Sequence, residues 1–214
     1  MQTYPGYLFD LDGTLVDTAP DINAALNHAL ATLEFSPVGE SLTRHWVGHG
    51  ARTLVEKALE HHQADPAPLD ELHQAFLEFY ATNHSKLSAP YRHVVPVLQQ
   101  LRERSARLAV VTNKLSRFSE PLLRDLGLLT HFDLVVSGDT AASPKPAADP
   151  ALHACAELRL APAETLFVGD STTDVLCARA AGCPVVCVRD GYNHGVPADE
   201  LGADSVIESF LDLV

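Results

Sequence analysis

Acidic residues follow short apolar runs of this 214-residue sequence, at points where strands would end. Asp10 and Asp12 come directly after residues 7–9, and Asp170 and Asp174 follow a similar run further along. Because Asp10 and Asp12 are two residues apart on an extended segment, their side chains share a face. Carboxylates gathered at one place repel one another unless a cation neutralises them. Their oxygen atoms predict a hard divalent ion, Mg²⁺, bound with water and a substrate phosphate.

Other polar groups stand at comparable positions. Thr112 and Asn113 end the apolar run 108–111, and Lys145 follows the run 134–136 in a Pro-rich segment. In an open parallel sheet, ligands bind beyond the carboxyl ends of the strands, where the strand order reverses. We therefore expect these groups and the carboxylates to meet at one edge of a sheet.

The elements that must position these residues are predicted from hydrophobic patterning. Apolar runs alternate with helical patterns after residue 90, and they predict strands at the positions 7–9, 108–111, 134–136, 166–168, 185–188 and 205–207. This alternation favours an α/β fold, a Rossmann-like parallel-sheet core with helices on both faces.

The segment between the first strand and about residue 84 has a different pattern. Ile22, Leu26 and Leu30 mark the apolar face of a helix that Thr18 could cap, and further helical patterns follow. No strand is predicted there, so the segment is interpreted as an all-helical insertion into the α/β domain. The predicted division is a discontinuous α/β core, residues 1–16 and 84–214, and a helical insertion of residues 17–83.

Composition narrows the range of partners. Fifteen Lys+Arg against twenty-eight Asp+Glu give a net charge of −13, which argues against nucleic acid and anionic membrane as partners. A small phosphorylated metabolite stays compatible with this charge if a local lysine or metal ion binds it. Four cysteines without a C-x-x-C pair, together with no apolar membrane span or secretory signal, predict a cytoplasmic protein. A homo-oligomer is compatible with the sequence, which carries no signature of one.

Four motifs in order along nearly the whole chain resemble those of the haloacid dehalogenase superfamily. They are FDLDGTLVD at 9–17, Thr112 at the end of a strand, Lys145-Pro146, and GDSTTD at 169–174. The resemblance implies a phosphatase in which residues 1–16 and 84–214 are the catalytic core and residues 17–83 are an inserted all-helical cap domain of the superfamily's first type. It also implies that Asp10 is the nucleophile that forms an aspartyl phosphate, and that Asp12 is the general acid and then the general base.

The resemblance implies further roles for the other motif residues. Thr112, Asn113 and Lys145 would bind the phosphoryl group, and Lys145 would also balance the charge of the nucleophile. Asp10, the backbone carbonyl of Asp12 and Asp170 would bind Mg²⁺, and Asp174 would support that site from behind the ligands.

Cap segments suggest a substrate. The sequence WVGHGAR at 46–52 is similar to the cap loop of bacterial phosphoglycolate phosphatases, and the segments 17–21 and 191–195 are similar to stretches of the same proteins. This similarity implies Mg²⁺-dependent hydrolysis of a small metabolite, 2-phosphoglycolate first. Arg52 is then a candidate ligand for the substrate carboxylate, because arginine binds carboxylates in a planar fork. Other candidate substrate contacts are His45, His49 and His194.

Several alternatives stay open from the sequence. A phosphatase for another small ester such as a sugar phosphate, or a β-phosphoglucomutase-like phosphomutase, would share the core motifs. Asp12 argues against the superfamily members that cleave carbon–halogen or carbon–phosphorus bonds, which lack a carboxylate at that position. A phosphoacceptor signalling domain is disfavoured because its acceptor Asp ends the third strand and it has no helical cap.

Overall fold

The computed structural model describes residues 2–214. Its strands are β1 (Gly6–Phe9), β2 (Val16–Asp17), β3 (Ala89–Pro90), β4 (Arg107–Val111), β5 (Leu134–Val136), β6 (Thr165–Gly169), β7 (Val185–Val188) and β8 (Ser205–Ile207). Its α-helices are α1 (Ala19–Thr32), α2 (Glu40–Trp46), α3 (Ala51–His61), α4 (Leu69–Asn83), α5 (Val94–Glu103), α6 (Ser116–Asp125), α7 (Asp149–Leu158) and α8 (Thr172–Ala181). Short 3₁₀ helices lie at Leu129–His131, Pro162–Glu164, Ala198–Glu200 and Phe210–Leu213.

One parallel sheet forms the centre of the molecule, with strand order β5-β4-β1-β6-β7-β8. Successive side chains of β1 point to opposite faces, so Tyr7 and Phe9 pack into one apolar cluster and Leu8 into another. Helices α5 and α6 cover the first face, and α7 and α8 cover the second. Because both faces are covered, the strands are apolar except at their first residues, such as Arg107 and Ser205, and the predicted parallel α/β core is confirmed.

The strand order reverses beside β1, and this reversal locates the candidate site. From β1 the chain reaches β4 and β5 on one side, and then returns to β6, β7 and β8 on the other. The carboxyl ends of β1, β4 and β6 therefore surround the crevice in which such sheets bind ligands.

Helices α1 to α4, which we call the helical insert (residues 19–83), lie over that crevice. They share an apolar cluster of their own, which also takes in Phe118 and Tyr192 from outside the insert. Strands β2 and β3 pair antiparallel at the two ends of the insert. The sequence patterns did not predict β2, β3 or α2, because two-residue strands and a seven-residue helix are too short to show a period.

Two observations concern the expected compartment. Within residues 2–214, no helix is both long and apolar enough to cross a membrane. The four cysteines, Cys155, Cys177, Cys183 and Cys187, are buried and unbridged. Burial raises the pKa of Cys177 to about 11 and that of Cys187 to about 12, which keeps both thiols protonated at neutral pH.

Candidate active site

The carboxyl ends of β1, β4 and β6 open into a cavity of about 290 Å³ between the sheet and the helical insert. Most of the residues predicted from the motifs line it: Asp10, Asp12, Thr112, Asn113, Lys145 and Asp170. Parallel strands end at the same edge of a sheet, so side chains distant in sequence meet there. The predicted convergence of these groups is therefore observed.

Lys145 is the central cation of this edge. Its Nζ lies 2.7 Å from Asp10 Oδ1 and 2.7 Å from Asp174 Oδ1, and its side chain is 2% exposed. Burial alone would lower the pKa of the lysine, but the two carboxylates raise it above its ordinary value. Lys145 therefore stays charged and fixes the position of the Asp10 carboxylate.

Asp174 is held by hydrogen bonds on both of its oxygen atoms. While Oδ1 accepts from Lys145, Oδ2 accepts from the Ser171 hydroxyl at 2.7 Å and from the backbone N–H groups of Ser171 and Asp170. This arrangement is a capping box at the start of α8. Burial opposes ionisation of Asp174, but Lys145 and these donors hold its pKa below the ordinary value. Asp174 thus supports its neighbours and has little capacity left for a ligand.

Asp170 is aimed at the cavity from the end of β6. Its Oδ1 accepts from the Thr14 hydroxyl at 3.0 Å, and its Oδ2 accepts from the backbone N–H of Tyr192. Gly13, with φ of +88°, and Gly191 both approach this carboxylate so closely that a Cβ at either position would overlap it. Glycine at both positions is therefore required by the placement of Asp170.

The carboxylates of Asp10, Asp170 and Asp174 each place an oxygen atom within 4.8 Å of the others. Burial, with repulsion from the neighbouring carboxylates, raises the pKa of Asp10 to about 7 against the opposing effect of Lys145. Burial and the same repulsion also raise the pKa of Asp170. One lysine does not balance three buried carboxylates, so this donor set of hard oxygens fits a divalent cation.

Asp12 lies at the boundary between the sheet and the helical insert. Its Oδ1 accepts from the Thr18 hydroxyl at 2.7 Å, so Thr18 stands at the N-cap position of α1 but makes no side-chain cap. The Lys114 Nζ lies 2.9 Å from Oδ1 and 3.2 Å from Oδ2. Although Lys114 is two residues beyond Thr112, no sequence pattern indicated a role for it.

Thr112 and Asn113 connect the sheet to its surroundings in different ways. Thr112 is buried, and its hydroxyl accepts from the backbone N–H of Lys114 at 3.1 Å. The Asn113 side chain accepts from the backbone N–H of Lys145 at 2.9 Å and donates to the carbonyl oxygens of Lys145 and Gly48. The Asn113 amide group therefore holds the Lys145 loop against the helical insert.

The wall contributed by the helical insert is mostly apolar. Ile22, Leu54 and Phe76 line it, and Tyr80 completes it near Lys114. Arg52 also lines the cavity from the first turn of α3, but its side chain is 52% exposed. Its Nη1 lies 2.7 Å from Asp70 Oδ1. Arg52, which the sequence predicted to bind the substrate carboxylate, is therefore already paired with an acid on the surface.

Comparison with known proteins identifies the family of this chain. Residues 7–188 match the haloacid dehalogenase-like hydrolase family. The chain belongs to that family. A phosphoglycolate phosphatase of Nitrosococcus oceani is 40% identical over 210 residues, which cover 96% of this chain and 93% of that protein. A phosphoglycolate phosphatase of Thiobacillus denitrificans is 39% identical and covers 99% of this chain and 96% of its own length.

Solved structures agree with the family. The crystal structure of a predicted phosphoglycolate phosphatase from Haemophilus somnus superposes with a TM-score of 0.92 at 30% identity. It covers 100% of this hydrolase, and this hydrolase covers 97% of it. The predicted resemblance to haloacid dehalogenase-type phosphatases, and with it the prediction of an enzyme, is confirmed.

Among the candidate substrate contacts of this hydrolase, His49 and His194 line the cavity with ring centroids 4.8 Å apart, whereas His45 is exposed outside it. The structure also shows contacts that sequence patterns did not indicate. Tyr192 donates its hydroxyl to Asp17, which pairs with Arg44 of the helical insert at 2.8 Å. No local signal predicts such pairs, because their partners are far apart in sequence.

Proposed function

We propose that this hydrolase is a Mg²⁺-dependent phosphomonoesterase for a small metabolite, with 2-phosphoglycolate as its substrate. The observation that carries the proposal is the pair Asp10 and Asp12 at one strand end, with Lys145 and Thr112 beside them. The names of the relatives from Nitrosococcus oceani and Thiobacillus denitrificans support 2-phosphoglycolate over other esters.

Two carboxylates would divide the chemistry. Asp10 would attack phosphorus and form an aspartyl phosphate, while the bond from phosphorus to the ester oxygen breaks. Asp12, only two residues away but turned toward the helical insert, would give the leaving oxygen its proton. Asp12 would then take a proton from the water that hydrolyses the aspartyl phosphate.

Three residues would hold the phosphoryl group. Lys145, which lies 2.7 Å from Asp10, would balance the negative charge that collects on the nucleophile and the phosphoryl oxygens. The Thr112 hydroxyl would donate to one oxygen atom. Because the Asn113 side chain is engaged with the Lys145 loop, the backbone N–H of Asn113 would be its contribution.

Mg²⁺ is the cation that this site fits best. Asp10, the backbone carbonyl of Asp12 and Asp170 would bind it, and Asp174 would stay behind them with Lys145. When bound, Mg²⁺ supplies positive charge beside the phosphoryl oxygens and reduces the repulsion among the carboxylates. Burial is the largest cause of the raised pKa values of Asp10 and Asp170, and repulsion among the carboxylates adds to it, so a cation beside them would favour their ionised forms.

The helical insert would act as the cap. The apolar cluster shared by α1 to α4 and the β2–β3 pair at their ends support a division into a cap of residues 17–83 and a core of residues 1–16 and 84–214. Closure would exclude water during phosphoryl transfer. Free, buried cysteines support a reducing, cytoplasmic setting.

The test is phosphate release from a panel of phosphorylated metabolites, with Mg²⁺ and with EDTA. We expect 2-phosphoglycolate to exceed other esters by more than about tenfold in kcat/KM, which corresponds to about 1.4 kcal/mol. A higher kcat/KM for a sugar phosphate would overturn the assignment of 2-phosphoglycolate as the substrate. Formation of an isomerised sugar phosphate without release of free phosphate would indicate a phosphomutase. Release that persists in EDTA would contradict the role of the metal.

A further inference from the structure

Lys114 is a buried cation at the insert-facing end of the cavity. Only 7% of its side chain is exposed, and its Nζ lies 4.9 Å from the centroid of the Tyr80 ring. Its carboxylate partner is Asp12, at 2.9 Å. The proposed function uses Lys145 for the phosphoryl group and gives Lys114 no part.

The position of Lys114 differs from that of Lys145 in one respect that matters for substrate binding. Lys145 bridges Asp10 and Asp174, which belong to the phosphoryl end of the site. Lys114 instead contacts Asp12, the residue proposed to protonate the leaving oxygen, and its Nζ lies beside the Tyr80 ring of the helical insert. The two lysines therefore pair with different carboxylates of the site, and only Lys114 contacts the helical insert as well.

The spacing fits a short acidic leaving group. In 2-phosphoglycolate the carboxylate carbon is about 2.5 Å from the ester oxygen, by ordinary bond lengths. The Lys114 ammonium group lies 2.9 Å from Asp12. When the ester oxygen is within hydrogen-bond distance of Asp12, the substrate carboxylate is therefore close to Lys114. In surroundings with few polar atoms, the contact between carboxylate and ammonium is strengthened.

A second group at this place has an unused hydrogen-bonding capacity. Tyr80 is 2% exposed and lines the cavity, and its hydroxyl lies beside the Lys114 ammonium group, a donor, with no acceptor for its own proton among residues 2–214. A buried hydroxyl donor without an acceptor is costly, and binding of a ligand acceptor would remove that cost.

We propose that Lys114, together with the Tyr80 hydroxyl, binds the carboxylate of the leaving group and selects short anionic esters. This inference rests on the proposed function and deepens it. It also distinguishes Lys114 from Arg52, whose side chain is half exposed and already paired with Asp70 and Glu56. Lys114 is also paired, with Asp12, but its ammonium group lies inside the cavity and has three N–H donors, so it can keep that contact while it donates to a substrate carboxylate.

The experiment compares two esters of the same length, 2-phosphoglycolate and ethyl phosphate, in wild type and in Lys114→Met. For each ester the kcat/KM of the variant is divided by that of wild type, so that intrinsic differences between the leaving groups cancel. We expect a loss of about 100-fold for 2-phosphoglycolate, the size of a lost hydrogen bond between charged groups. The loss for ethyl phosphate should be at least about tenfold smaller.

Equal losses for the two esters would overturn the inference, because they would mean that Lys114 acts only through Asp12 or through the fold. Tyr80→Phe provides a second variant that removes one oxygen atom. It should lose about three- to tenfold more activity on 2-phosphoglycolate than on ethyl phosphate. Equal effects of Tyr80→Phe on both esters would contradict the part assigned to its hydroxyl.

Lys86→Met is the matched control, because Lys86 is exposed and is not among the residues that line the cavity. Lys86→Met should leave kcat/KM unchanged for both esters. Failure of the proposed function is distinguishable, since wild type itself would then show no preference for 2-phosphoglycolate. A preference that is present in wild type and survives in Lys114→Met would overturn this inference alone.

Discussion

The two sides of the cavity are built differently. On the sheet side, buried carboxylates and one lysine hold one another: Lys145 pairs with Asp10 and Asp174, and Asp174 also accepts three hydrogen bonds at the start of α8. On the insert side, which comprises the helical insert and the Lys114 side chain that contacts its Tyr80 ring, apolar residues dominate, and Arg52 is half exposed. The sheet side thus holds its groups rigidly, while the insert side leaves most polar contacts to be made with a ligand.

This difference separates reaction chemistry from substrate choice. Groups that meet at a sheet edge are positioned by backbone hydrogen bonds of neighbouring strands, which tolerate little movement. Groups on the insert are positioned by helix packing and can change with the leaving group. Substitutions on the sheet side should therefore reduce activity toward every ester, and substitutions on the insert side should alter the preference among esters.

The largest effect is expected from Asp10→Asn, which removes the nucleophile. We expect kcat to fall by roughly 10⁴- to 10⁶-fold for all esters, as for other nucleophile replacements. Because Lys145 keeps Asp174 as a partner, thermal unfolding should still be cooperative. Loss of activity on one ester only would break the proposed separation, since the nucleophile acts on every substrate.

A smaller effect is expected from Asp174→Asn, which touches no substrate. An amide in place of this carboxylate removes the negative charge beside Lys145, 2.7 Å away. We expect the Mg²⁺ concentration for half-maximal activity to rise by roughly 10- to 100-fold, the usual effect of changing a residue behind a metal site. Titration of activity with Mg²⁺ measures it.

Asp139→Asn is the control for that titration. Asp139 is an exposed acid that accepts from the backbone and side chain of Ser116 at the start of α6. The same substitution there should leave the Mg²⁺ dependence unchanged. If both variants raised the half-maximal Mg²⁺ concentration equally, the change in net charge would explain the effect. Asp174 would then have no specific role in supporting the metal site.

The sheet side could be predicted from the sequence for a physical reason. Parallel strands end at one edge, so Asp10, Thr112 and Asp170 converge as soon as their strands are recognised. Six apolar runs predicted the six strands of the sheet. The prediction for Thr18 was correct in position, because Thr18 stands at the start of α1. It was wrong about the contact, because the hydroxyl donates to Asp12 and does not cap the helix.

The insert side could not be predicted in the same way. Lys114 looked like an ordinary residue of a loop, and Tyr80 like a core aromatic residue of α4. Their juxtaposition with Asp12 depends on how the helical insert packs over the sheet, which no local period encodes. The pairing of Arg52 with Asp70 likewise depends on the packing of α3 against α4.

Arg52→Ala tests the insert side at its rim. Exposed ion pairs contribute only about 0–1 kcal/mol, and Arg52 must leave Asp70 before it can reach a ligand. We therefore expect kcat/KM for 2-phosphoglycolate to fall by no more than about fivefold, with ethyl phosphate unaffected. If Arg52→Ala lost more activity on 2-phosphoglycolate than Lys114→Met, the substrate carboxylate would be assigned to Arg52 and not to Lys114.

The smallest effect concerns the junction of the two sides, where Asp17 accepts from Tyr192 and pairs with Arg44 at 2.8 Å. Burial opposes ionisation of Asp17, but Arg44 and Tyr192 lower its pKa below the ordinary value. The ionised form therefore stabilises the fold above the pKa of the unfolded chain, about 3.9, and this contribution is lost as pH falls through the folded pKa.

We expect Asp17→Asn to reduce the free energy of unfolding by about 0.5–1 kcal/mol at pH 7, the range for a partly exposed ion pair. The difference from wild type should shrink as pH falls below about 4, because wild type then loses the same charge. Urea unfolding across this pH range measures it, with the exposed Asp190→Asn as control. A difference that stayed constant with pH would show that the Tyr192 contact, and not the charge of Asp17, ties the helical insert to the sheet.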